Sequence, residues 1–339
     1  MLTRTVFGRT YSYSHCIGRG ANGGTGFRIP VDVGLAPNGV AYVLNRGAEY
    51  VPSARVTKCT LGDDAGQEEL IHEFGSDGSE DGQFMRVTSL ALDKNENVYV
   101  ADEWLNRITI FDKDGNFLDK WGIQGSGDGE MDRPWGITFD EDGNLWVVDS
   151  GNNRVQTFTR DGKFLSQWGR GGSGDGEFNM PWGITLDSKG DVYVADWYNS
   201  RVQKFTPDGK HLMTFGAPGS GDGELRRPTG VAVDDEGDVY AVDWGTNKVH
   251  AYGPDGSYLT TFIGDAQRLP MWGEMSIDAN PDMLKARKRV KSLEPEWRFY
   301  YPVAVEIDDR RRIVIVDQQR TRLHIYIKEK NYVEPQFNL

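Results

Sequence analysis

Three carboxylates and a set of arginines and aromatics are the side chains of this 339-residue chain best placed to do chemistry. Asp32 and Glu306 interrupt two apolar runs, "PVDVGLA" and "PVAVEID", and Glu103 follows the run "VYVAD". Carboxylates enclosed in such runs are costly alone and repel each other when close. The pair therefore suits a general acid/base or a cation site, with Arg28 and Arg46 as candidate counter-ions. Arg28, Arg46, Arg86, Arg133 and Arg227 stand near Trp104, Trp135, Trp182, Trp197, Trp244 and Tyr301 in equivalent stretches. Such a set suits a ligand with an anionic group and a flat or cationic portion. It equally suits a protein interface, where Trp, Tyr and Arg are the usual anchors. No GxSxG nucleophile motif accompanies them.

A second candidate is the loop "GRGGSGDGEF" at 169–178, crowded with glycine and acid. A phosphate cradle needs a helix start after it, and "MPWGITL" reads as a strand. A calcium loop needs more oxygen ligands than its one or two carboxylates supply. The loop also recurs, as "GIQGSGDGEM", "GAPGSGDGEL" and, more loosely, "GSDGSEDGQF". Its glycines are read as turn residues between repeating units, with no ligand.

Stepping from loop to loop, Asp93, Asp140, Asp187 and Asp234 lie 47 residues apart. Each unit holds four short runs rich in Val, Ile, Phe, Tyr and Trp, separated by Asp-Gly turns, which is the pattern of four antiparallel strands. With diverged copies at 30–36 and 302–308 there are six units, the signature of an all-β, six-bladed β-propeller. The last unit supplies only three strands, so "TYSYSHCIGRG" at 10–20 is expected to complete it and close the ring. The chain is read as one domain over 1–339.

In "GSGDGEF", "PWGI", "VYVAD" and "NSRVQKF" the repeat resembles the NHL-repeat family, across roughly residues 12–327. The resemblance implies a propeller, and it is similar in fold to zinc lyases of peptidyl-hydroxyglycine, which hold zinc on channel-lining histidines. His15, His72, His211, His250 and His324 all fall outside inner strands, so no His-based zinc site is expected. A calcium ion in the channel is compatible with Asp32 and Glu306.

Inner strands carry small residues at two slots, as in Gly136/Thr138 and Gly183/Thr185; Asp32 and Glu306 break that rule in blades adjacent across the closure. Trp121, Trp168, Phe74, Phe215 and Phe262 share an outer-strand slot and read as packing. Blade one gains about five residues in "RGAEYVPSARV", and residues 263–298 form an insertion on the channel-mouth face. Within it, "NPDMLKARKRVKSLEPE" reads as a helix capped by Asn280, with Met283, Ala286, Val290 and Leu293 as its apolar stripe. The helix is expected either as a lid over the channel or as a basic docking face.

The net charge of −13 argues against nucleic acid and anionic membrane as partners. Two cysteines exclude a disulfide framework. The N-terminal residues hold no apolar signal-like run, which predicts a soluble, cytoplasmic chain. Taken together, the residues point to a small-molecule site at the channel mouth, with lyase or hydrolase chemistry on Asp32, Glu306 or Glu103. The alternative is a non-catalytic protein- or peptide-binding scaffold using the same face; RNA binding is a weaker third.

Overall fold

A computed structural model describes residues 3–48 and 51–330. Six four-stranded antiparallel sheets follow one another along the chain. Blade four is representative: Pro181–Leu186 is innermost, then Val192–Asp196, Arg201–Phe205 and His211–Phe215. Every inner strand lies beside the next, and the ring closes where Pro302–Ile307 meets Pro30–Ala36. In blade six the fourth strand is Arg9–Ile17, paired antiparallel with Arg322–Lys328. The chain start is thereby locked to the chain end, and Thr3–Val6 adds a fifth, outermost strand.

The core lies between blades. Trp146, Val148 and Val155 of blade three pack with Ile184, Val194 and Phe205 of blade four as one buried cluster. Twisted sheets stacked face to face interdigitate in this way, each blade burying its neighbour's apolar face. In the blades that carry glycine there, room near the axis is lacking for a side chain: a Cβ on Gly136 would stand 2.4 Å from the Trp182 carbonyl oxygen. The outer aromatic slot packs as read, with Trp168 against Phe205 at 4.7 Å and Trp121 against Phe158 at 5.0 Å.

The glycine-rich loops spend their backbone donors on themselves. Glu177 accepts from Ser173 N and Gly174 N, and Glu224 from Ser220 N and Gly221 N. The loop's only acid with reach thus occupies the nest that an anion would need.

The insertion departs from the expected lid. It holds three helices, α1 (Met271–Asp278), α2 (Pro281–Lys288) and α3 (Glu294–Trp297). Asn280 caps α2 by accepting from Asp282 N and Met283 N. However, α2 ends at Lys288 and buries nothing; Met283 and Val290 are exposed. Its mean pattern is too polar to drive docking, and α1 supplies the anchor. Trp272 is buried with Ile17 and Phe27 at the outer seam of blades six and one. There burial beside the start of α1 pushes the Glu68 carboxyl up, against nearby backbone amides that include Gly66 N. The insertion braces the flank of the ring. The tip of the blade-one extension, residues 49–50, lies outside the described residues.

Candidate functional site

How the mouth is held follows from a residue that ends the second strand of each blade. Asp102, Asp149, Asp196, Asp243 and Asp317 are fully buried, and Asn45 takes the place in blade one. Each accepts backbone amides from the chain just before the inner strand. Asp102 takes Met85 N and Arg86 N, Asp243 takes Arg226 N and Arg227 N, Asp317 takes Tyr300 N, and Asn45 takes Arg28 N. A second clamp crosses between blades: Asn106 accepts from Arg133 N and Asn247 from Tyr301 N, each at 2.7 Å. Arg133 and Tyr301 have φ of 52° and 56°, a left-handed conformation made more strained by the proline that follows. The rim is therefore set by buried hydrogen bonds. The repeated Asp of "VYVAD" is the sequence signal for this clamp.

Above the axis the side chains form two stacks. Trp135 lies on Trp182 at 3.9 Å and 13°, and Trp182 on Trp197 at 4.1 Å and 19°. Arg46 caps one end over Trp135, and Arg227 the other, over Trp197 and Tyr198. Trp244 stacks on Tyr301, Tyr301 on Tyr300, and Arg320 lies over Tyr300. Each contact contributes on the order of 0.5–1.5 kcal/mol. Trp135, Trp182 and Trp197 are covered on both faces, so those faces are not free for a flat ligand. Trp104, 62% exposed, stands outside the stacks.

Between the stacks is a cavity of about 210 Å³, lined by Arg46, Trp135, Trp182, Trp197, Trp244 and Gln318 among others. Below it the channel narrows to about 40 Å³, and here Asp32 and Glu306 come together. None of the residues lining either space comes from 263–298.

Neither expected counter-ion pairs with Asp32 or Glu306: the Arg28 side chain has no ion pair among the described residues, with its Nε buried and unpartnered, and Arg46 goes elsewhere. Arg46 is ion-paired to Glu103, which Arg86 also meets at 3.1 Å. Glu103 is thus neutralised by two guanidiniums and is poorly suited to acid/base work. Asp32 instead accepts from Val33 N and Leu90 N, both at 2.9 Å. Burial raises it to about 6 against those hydrogen bonds. Glu306 has only a backbone contact at Ile307, and burial, helped by the charge of Asp32, raises it to about 8. Both have some surface open to the lumen, yet are ringed by protein, so lumen water does not restore bulk solvation. Burial pushes Arg46 down, with Glu103 opposing.

Two carboxylates fall short of the roughly six to eight oxygens calcium takes. Among the described residues no three His, Cys, Asp or Glu gather at metal-binding distance. His250 and His324 are buried on third strands, His15 meets the Leu61 carbonyl on an outer strand, and His72 and His211 lie on outer strands.

A closed ring with one axial cavity defines a six-bladed β-propeller with its candidate site at the mouth. Within this ring the NHL repeat matches residues 131–158, 178–205 and 225–252, one stretch in each of three successive blade repeats. A stretch of 50 residues is 48% identical to protein lin-41 of Caenorhabditis elegans; it spans 15% of this chain and 4% of that protein. A protein of unknown function from Bacteroides thetaiotaomicron shares the fold with TM-score 0.62 and 18% identity, over 95% of this chain and 76% of that one. Virginiamycin B lyase from Staphylococcus aureus does so with TM-score 0.57 and 14% identity, over 94% and 99%. A chain of the nidogen/laminin complex matches with TM-score 0.52 and 19% identity, over 77% and 92%. At these identities the solved structures show the fold alone. No helix of the described residues is long and apolar enough to cross a membrane.

Proposed function

We propose that this protein is a non-catalytic recognition scaffold whose mouth face takes a peptide or protein segment. The observation that carries the reading is the open mouth. Trp104, Tyr198 and Tyr300 are 62%, 45% and 43% exposed on the face that holds the axial cavity, and no residue of the insertion lines that cavity. Exposed aromatics beside arginines are the residues that dominate binding energy at interfaces. A cavity of about 210 Å³ is smaller than the usual ~300–1,000 Å³ of a small-molecule site but fits one inserted side chain. That a fold relative comes from the nidogen/laminin complex supports the reading by analogy only.

Peptides selected from a displayed random dodecamer repertoire should bind the wild type and lose at least about tenfold in affinity to a Trp104→Ala/Tyr198→Ala variant, some 1.4 kcal/mol. Selected peptides indifferent to that variant would sink the proposal.

A second reading has its own observation. Asp32 and Glu306 titrate near neutrality, as a proton donor and acceptor working at pH 7 would. On this reading a small ligand reaches them and a lyase or hydrolase reaction follows. The 40 Å³ lumen admits little more than a water-sized group, which favours the first reading. Native mass spectrometry distinguishes them: an adduct retained by the wild type and lost in Asp32→Asn supports the small-ligand site.

A further inference from the structure

The mouth face has a charge pattern that its stacking and clamping do not explain. The protein as a whole carries −13, and the outer turns of the same face are acidic, with Asp81, Asp128, Asp175 and Asp222 all exposed. The inner rim is the reverse. Arg28, Arg46, Arg86, Arg133, Arg226 and Arg227 stand there with Glu103 and Asp132, above the buried aspartates whose carboxylates are taken up by backbone amides of the same loops.

Glu103 and Asp132 serve one side only. Glu103 holds Arg46 and Arg86, and Asp132 lies 3.5 Å from Arg133. Among the described residues no carboxylate comes within ion-pair distance of Arg226 or Arg227. Arg227 is spread over Trp197 and Tyr198 with 5.1 Å and 4.5 Å to the ring centres, and Arg226 is exposed.

This corner is built to hold still. The backbone amides of both arginines donate to buried Asp243, at 3.2 and 2.8 Å. Gly245 lets the neighbouring loop press on them: a Cβ there would lie 3.0 Å from Cβ of Arg226 and 3.2 Å from Cβ of Arg227. Arg227, spread on two rings, is fixed before binding and loses little freedom when an anion arrives, while Arg226 is held at its backbone and keeps a free side chain. The planar fork of each guanidinium matches a carboxylate in two-point fashion. The axial cavity opens beside them, with Trp197 and Trp244 in its wall.

We propose that the Arg226–Arg227 corner is the docking point for an acidic peptide, which places an Asp or Glu side chain on the two guanidiniums and a neighbouring side chain in the axial cavity. The proposal rests on the scaffold reading above and names the chemistry of its partner. A nucleic acid fits less well. An extended polyphosphate would have to cross the acidic perimeter and meet like charge at each loop it passes. A short peptide can concentrate its carboxylates at the centre.

The test reads the composition and the dependence of peptides selected from the displayed dodecamer repertoire at about 0.15 M salt. The proposal expects Asp and Glu enriched over the input repertoire. It also expects at least tenfold weaker binding of the synthesised peptides to Arg226→Glu/Arg227→Glu, and unchanged binding to Lys285→Glu/Lys288→Glu on α2. Circular dichroism melts of each variant check that the ring stays folded; Arg226→Glu alone, at an exposed site, serves if the double variant does not fold. Peptides that need Trp104 and Tyr198 but show no acidic enrichment overturn this inference and leave the scaffold reading standing. Peptides indifferent to Trp104 and Tyr198 overturn both. Tighter mouth-dependent binding of a single-stranded RNA dodecamer than of the best peptide overturns it in favour of nucleic acid.

Discussion

Blade four and the seam between blades six and one use the same architecture to different ends. In blade four the buried charges are answered locally. Asp196 takes Asn179 N, Asn199, Arg201 and Gln203, and Glu177 closes its own glycine loop. At the seam the inner strands carry Asp32 and Glu306, the first held only by hydrogen bonds to its own and the next blade, the second nearly unpartnered. Regular copies thus show what the fold requires of a charge. Departures from them show charges the fold does without, and those are the ones with chemistry to spare.

The largest test of this contrast is Asp196→Ala. It leaves the Arg201 guanidinium without its carboxylate and orphans several amides, so a loss of about 3–5 kcal/mol in chemical unfolding is expected. A near-neutral result would erase the distinction between fold-required and spare charges.

Trp272→Ala comes next. It empties a buried site at the outer seam, with about 3 kcal/mol expected and no change in peptide binding at the mouth. Loss of mouth binding would instead restore the insertion to the site.

Glu306→Gln has a smaller effect that depends on pH. The folded-state pKa is raised, so the folded protein holds a proton that the unfolded chain releases, and stability falls as pH rises from about 4.5 to about 8. The variant should match wild type near pH 4 and melt a few degrees higher at pH 8.5, about 2–4 °C per kcal/mol recovered. Equal melting curves at both pH values would show that lumen water solvates Glu306 fully.

Smallest is Trp104→Ala, expected within about 0.5 kcal/mol of wild type in stability because the ring lies on the surface outside both stacks. A large destabilisation would make it part of the scaffold.

The repeat was legible because turns and strand alternation are local: the 47-residue spacing, the Asp-Gly turns and the missing strand of the last blade needed no partner to be recognised. Asp32 and Glu306 were legible for the same reason, as exceptions at a counted slot. Their surroundings were not. Arg46 was expected beside them and is drawn off by Glu103, from a loop that only the ring brings near. The stripe Met283, Ala286, Val290 and Leu293 was read as one helix, but α2 ends at Lys288 with no surface to bury it, and α1 takes the seam with Trp272.

What the sequence by itself determined is the blade: four strands, their turns, the count of six and the strand that closes them, all set by short-range pattern. The tertiary structure alone decided which cations meet which carboxylates, which aromatic faces remain open and where the insertion lies. Those depend on distances between blades 47 residues or more apart in the chain, and they follow from how sheets stack around an axis.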